Sequence, residues 1–113
     1  MQEPTFWILT ALVDQPRHGY AVIQRAAALT DGQVRLQAGT LYAALDRLQA
    51  QGLVEIEREE TVDGRPRRYY RLASDGRAAL EAETQRLAQT AQTAASLLAA
   101  GGRGLGGLAV TFG

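Results

Sequence analysis

The segment Gly39 to Leu72, GTLYAALDRLQAQGLVEIEREETVDGRPRRYYRL, changes its hydrophobic period once and so admits very few folds. Leu41, Leu45 and Leu48 recur at four-then-three spacing, one face of a helix running from near Gly39 to Gln51, and Gly52 stands where a left-handed residue ends it. From Leu53 the period becomes two, with Val54 and Ile56 on one side and Glu55, Glu57 and Glu59 on the other. Asp63-Gly64 supplies a hairpin turn, Pro66 tolerates a tip or edge position, and the chain returns as Arg67 to Leu72. A helix followed by a hairpin with a basic tip is the plan of a winged helix that reads DNA. Pairing the apolar faces predicts the register Val54 with Leu72, Ile56 with Tyr70, Glu55 with Arg71 and Glu59 with Arg67. Arg58 and Arg68 then oppose each other as like charges, which suits a phosphate between them. On that register Arg65 and Arg68 rank first as DNA contacts, then Arg67, with Arg71 last; read blandly, the same residues are solvated strand positions in weak exposed pairs.

Composition removes competing classes. Among 113 residues there is no cysteine and one histidine, so disulfides, thiolate metal sites and a triad centred on His18 are not expected, nor is any cofactor. The net charge of zero hides a local asymmetry: residues 64 to 71 hold four arginines and no acid, residues 55 to 60 four acids. The apolar run Phe6 to Val13 is too short to span a membrane, and a cytoplasmic location is expected. An enzyme is the poorest reading. A winged helix serving as a protein-interaction module, with the arginines on an acidic partner, is the alternative to DNA binding.

Two helices are expected upstream. Pro4 opens the first, whose Phe6, Leu9 and Val13 share a face, and Asp14 to Arg17 break it. The second runs from about Gly19 to Thr30 and is closed by Asp31-Gly32, with Ala26, Ala27 and Ala28 permitting close approach. Val34 to Leu36 reads as a small strand. The expected fold class is mainly α with a small β-hairpin: a winged helix-turn-helix over residues 1-73, a C-terminal dimerisation helix over 74-100 and a flexible Gly-rich tail over 101-113.

The motifs PTFWILTAL at 4 to 12, HGYAVIQR at 18 to 25, GTLYAALDRLQAQGLVE at 39 to 55 and GRPRRYYRL at 64 to 72, followed by Gly76 and Leu80, together resemble the PadR family of bacterial transcriptional regulators. The resemblance implies a winged helix-turn-helix repressor acting as a homodimer, with the last and first helices in the dimer contact; the short C-terminal helix looks like the compact branch. Two positions depart from the family pattern. Ala38 stands where proline is frequent, and Ala73 replaces a capping threonine, a role Ser74 is expected to take over.

Candidate contacts follow from the helical faces. Gln37, before the reading helix, is the expected base reader, since its amide both donates to and accepts from adenine. Thr40 contacts a base or phosphate, Tyr42 a phosphate from the flank unless it is a packing residue, and Arg47 a phosphate or Asp46. Tyr20 is a second phosphate candidate, its hydroxyl supported by amides at the start of the second helix. His18 reads as a turn or capping residue. In the last helix, expected from Asp75 to about Ala100, the seam Leu80, Thr84, Leu87, Ala91, Ala94 and Leu98 suits coiled-coil pairing. Half of it is alanine or threonine, so Phe6 and Trp7 of the first helix are expected to supplement the dimer core or to receive a small aromatic or apolar effector. The whole reading is a dimeric repressor released by that effector from an inverted-repeat DNA operator.

Overall fold

A computed structural model describes residues 1–104 of the chain. Four helices, α1 (Glu3–Ala11), α2 (Gly19–Leu29), α3 (Ala38–Ala50) and α4 (Ser74–Gly104), accompany three strands, β1 (Arg17–His18), β2 (Val54–Val62) and β3 (Arg65–Leu72). The strands form an antiparallel sheet in the order β1-β3-β2. Met1–Glu81 forms one compact unit, and the described residues from Ala82 onward form a second. No helix among the described residues is long and apolar enough to cross a membrane.

The core of the first unit is built from the faces the periodicity marks. Ile8, Leu9, Val22, Leu41, Leu45, Leu48 and Val54 are fully buried, each contributing about 1.5–3 kcal/mol relative to exposure. Gly52, at φ 77°, closes α3: its amide donates to Gln49 O (3.0 Å) and the Leu53 amide to Leu48 O (2.9 Å), two bonds that satisfy the last-turn carbonyls. This reversal delivers Val54 into the core and starts β2 at a fixed angle to α3. Upstream, α1 stops at Ala11 and Val13 lies beyond it, 39 % exposed rather than on the Phe6 and Leu9 face. Arg17 accounts for the stop, donating to the carbonyl of Ala11 (2.6 Å) and to Asp14 (2.7 Å). Of the consecutive alanines Ala26, Ala27 and Ala28 in α2 only Ala26 is buried.

Three expectations are corrected. The small strand is Arg17–His18, pairing with Tyr70 and Tyr69, not Val34 to Leu36. Leu36 is instead buried from an irregular segment. The junction into α4 differs as well. The Ala73 amide donates to Leu53 O (3.0 Å) and its carbonyl accepts from Arg77 (2.9 Å), so Ala73 is the N-cap and Ser74 the first helical residue, not the cap. Finally, α4 continues to Gly104, past the Ala100 expected; the rest of the Gly-rich tail, 105–113, lies outside the described residues.

The hairpin register carries the largest correction. Val54 faces Leu72, Glu55 faces Arg71 and Ile56 faces Tyr70 as expected, but an irregularity between Ile56 and Arg58 inserts one residue into β2. Beyond it Arg58 faces Tyr69, Glu59 faces Arg68, Glu60 faces Arg67 and Val62 faces Arg65. Neither the Glu59 with Arg67 pair nor the Arg58 with Arg68 pair forms. A bulge of this kind exchanges the two faces of the strand beyond it.

Candidate nucleic-acid interface

The N-terminus of α3 is open. Gln37 is its N-cap in extended conformation, with no side-chain cap bond, while its carbonyl accepts from Leu41 (2.8 Å). Ala38, Gly39 and Thr40 are exposed, and a Cβ built on Gly39 would meet nothing within 4 Å. The free amides of this first turn therefore face solvent past three small residues and carry the positive end of the helix dipole. Gln37, Thr40 and Ala43 lie on this exposed side, opposite buried Leu41, Ala44, Leu45 and Leu48.

Tyr42 joins this end to the start of α2. Its ring lies so close to Gly19 that a Cβ there would stand 2.6 Å from Tyr42 Cζ and nearer still to the hydroxyl, so a larger residue at 19 would displace the Tyr42 ring. Tyr42 packs on Gly19 and stays 48 % exposed. Tyr20 is 62 % exposed, and among the described residues its hydroxyl has no hydrogen bond, rather than the expected support from helix amides. His18 caps α2, Nδ1 accepting from the Ala21 amide (3.3 Å), and its ring meets Tyr69 edge-on at 5.4 Å. Burial, then the positive Arg67, pushes the imidazole below its ordinary pKa, with Glu60 opposing. Arg47 is turned toward α1, donating to Thr5 Oγ1 (2.9 Å); Asp46 is not its partner.

The bulged register redistributes the charges of the wing. Arg68 donates to Glu59 (2.9 Å) and Arg71 to Glu55 (3.3 Å). Arg58 is held by Glu57 (3.0 Å) and Glu60 (3.2 Å), with its guanidinium 3.8 Å from the centre of the Tyr69 ring. With Glu60 engaged there, Arg67 has no ion pair although Glu60 is its register partner; Arg65 has none either, among the described residues. Arg65 and Arg67 flank a shallow hollow at the tip, shared with Val62, Asp63 and Pro66. The ranking by register is thereby reordered: Arg65 and Arg67 are the unneutralised cations, and Arg68 is paired. The cation-π contact and the His18 and Tyr69 pair have no marker in the sequence, since each depends on the bulge or on the two-residue β1.

The face of the hairpin carrying Arg68 is the one turned toward α3. Val54, Ile56, Tyr70 and Leu72 pack on the core from it, and Glu59 and Arg68 continue it outward. Burial raises the Tyr70 pKa, the neighbouring Arg68 works against that, and Asp46 and Tyr42 of α3 add to it.

The remaining candidates are placed on other surfaces. Phe6 and Trp7 meet edge to face at 5.1 Å and are half-buried against the core. On α4 Leu80 is buried, whereas Leu87 is 41 %, Leu97 69 % and Leu98 77 % exposed, and Ala91 and Ala94 are exposed as well. Among the described residues no group of acids and histidine is placed to hold a metal.

Comparison with known proteins agrees with this fold. The model of the Transcriptional regulator PadR-like family matches residues 8–82. The chain is 39 % identical over 85 residues to the transcriptional regulator Rv3488 of Mycobacterium tuberculosis, covering 75 % of this chain and 76 % of that protein. Among solved structures, a PadR family transcriptional regulator from Eggerthella lenta superposes with TM-score 0.69 at 28 % identity, over 84 % of this chain and 80 % of that one. Bacillus subtilis PadR in complex with operator DNA superposes with TM-score 0.66 at 17 % identity, over 74 % of this chain and 48 % of that one, and shares the fold.

Proposed function

Because the chain belongs to the PadR-like family of transcriptional regulators, we propose that it is a dimeric repressor that reads an inverted-repeat operator with the N-terminal turn of α3. The observation that carries this reading is the open start of α3, with Gln37, Gly39 and Thr40 exposed and Tyr42 and Tyr20 beside it, together with two wing cations that have no carboxylate partner among the described residues. A helix N-terminus of this kind enters the major groove, where amide side chains read base edges and tyrosine hydroxyls and arginines anchor phosphates. Gln37 is the base reader; Thr40, Tyr42 and Tyr20 position the helix; Arg65 and Arg67 grip the flanking backbone, with Arg68 in reserve and Arg47 outside the main contact.

The residues 74-100 act as the dimerisation helix. Exposed Leu87, Ala91, Ala94 and Leu98 form an apolar stripe with three- and four-residue spacing, and pairing it with a second copy removes it from water. Phe6 and Trp7 offer the aromatic surface against which a small aromatic or apolar effector stacks, and such a compound releases DNA only through its differential affinity for the two states of the dimer. The protein acts in the cytoplasm.

Gln37→Ala tests the reading head. It is expected to relax the preference at one base pair by about 1–3 kcal/mol while leaving affinity for random DNA unchanged. A variant with the wild-type preference at every position removes Gln37 from the interface.

A further inference from the structure

The hairpin from Val54 to Leu72 contains five arginines, 58, 65, 67, 68 and 71, and five acids, 55, 57, 59, 60 and 63, so its formal charge is zero. That balance is unexpected in a wing that grips a polyanion, because affinity for DNA of any sequence comes from cations that neutralise phosphates and release counterions. The bulge between Ile56 and Arg58 explains how the balance is arranged. Without the extra residue Arg58 would oppose Arg68 and Glu59 would lie on the far face; with it Glu59 moves to the core-facing side, directly across from Arg68. Arg68 Nε then donates to Glu59 Oε2 at 2.9 Å. The pair stands on the side of the hairpin that carries Val54, Tyr70 and Leu72, next to Tyr70. Among the five wing arginines Arg68 is the one that the register puts on this core-facing side, and it is restrained there by Glu59.

We propose that Glu59 is a specificity-determining residue: an internal counter-ion that holds Arg68 off the DNA backbone and so limits the wing's affinity for DNA of arbitrary sequence. The pair is about half exposed on both sides, so it contributes little to stability and opens readily. Its effect lies in competition. A random phosphate must displace the Glu59 carboxylate to engage Arg68, whereas a correctly read site, already anchored by α3 and by Arg65 and Arg67, is bound without it. The ratio of specific to random binding rises, which is the quantity that matters against a genome of competing sites.

This inference rests on the DNA-binding reading, and one experiment separates the failure of each. The affinity of the full chain for a labelled random-sequence duplex is measured across a salt series for wild type, Glu59→Gln, Arg68→Ala and the double variant. Glu81→Gln, which removes one exposed acid from α4, serves as the net-charge control. Glu59→Gln is expected to bind the random duplex on the order of five-fold more tightly at low salt, with a log–log slope steeper by about 0.9, the value for one additional phosphate contact. The gain is expected to disappear in the Arg68→Ala background and to be absent in Glu81→Gln. The inference is overturned if wild type binds duplex but Glu59→Gln binds no more tightly, or if the gain persists without Arg68 or matches the Glu81→Gln control. A wild type that binds no duplex at any salt overturns the DNA-binding reading and this inference together.

Discussion

Replacing Gly76 by alanine sets two physical effects of opposite sign against each other. Gly76 lies in the first turn of α4, and an added Cβ would collide with the Leu53 carbonyl oxygen and stand 2.9 Å from both Leu53 C and Leu72 Cδ1. Two of these three atoms are backbone, and they belong to the residue whose amide closes α3 on Leu48 O and whose carbonyl takes the Ala73 amide at 3.0 Å. Helix propensity alone makes Gly→Ala stabilising by up to about 1 kcal/mol. Overpacking against a fixed neighbour costs about 1–3 kcal/mol, and loss of the Leu53 to Ala73 bond about 1 more. The net expectation is a destabilisation of about 1–3 kcal/mol, a fall in Tm on the order of 5–15 °C. Urea and thermal unfolding followed by circular dichroism measure it, with an unchanged m-value showing that the same surface unfolds. Because Leu53 links α3 to the wing, DNA affinity is expected to fall below 25 °C as well, where the variant is still folded. A Tm equal to or above that of wild type would refute the argument that this glycine is needed for close backbone approach.

Gly39→Ala is the converse case: with open space around its Cβ the fold accepts it, so stability should be unchanged or slightly raised while DNA affinity falls at least several-fold, and retained affinity would move the DNA away from the start of α3. Ala73→Ser restores a hydroxyl cap to α4 and is expected to add about 1 kcal/mol to the unfolding free energy; no change would mean that the buried N-cap leaves the hydroxyl no access to the first-turn amides. His18 should make stability pH-dependent. Its folded pKa lies below the ordinary 6.5, so the stability it contributes is complete above pH 6.5 and is lost as pH falls through the folded value, where protonation of Nδ1 also removes the cap acceptor. His18→Asn, which caps without titrating, should flatten that part of the profile, and an unaltered profile would assign it elsewhere. The Arg17 hydrogen bond holds the Asp14 carboxyl at about 2 against its ordinary 3.8, so a second loss is expected as pH falls from about 4 toward 2, absent in Asp14→Asn.

The elements with a strong period were legible in the sequence and those without one were not. The leucine stripe of α3, Gly52, and the Val54 and Ile56 alternation fix helix, reversal and the first half of the hairpin because each apolar residue reports its face. After Ile56 the run Glu57 to Thr61 contains no apolar residue, so nothing in it reveals that one residue has been inserted, and every pairing beyond the bulge moved by one. The charge assignment moved with it: Arg67 was freed and Arg68 was paired. Strand β1 is two residues long, too short to show a period, whereas Val34 to Leu36 alternates like a strand but pairs with none. Ser74 was displaced as a cap because the Ala73 amide is already bonded to Leu53, a contact distant in sequence. Arg47 was drawn to Thr5 for the same reason, 42 residues away.

Sequencing the genomic DNA retained by the purified full-length protein, followed by footprinting of the recovered sites, tests the central claim most directly. The predicted result is a shared inverted repeat with half-site centres about 10 bp apart, protected on both halves, whose enrichment is lost in the Gln37→Ala and Gly39→Ala variants although both remain folded. Recovery of no common sequence, or of a single unrepeated site indifferent to those two substitutions, would contradict it.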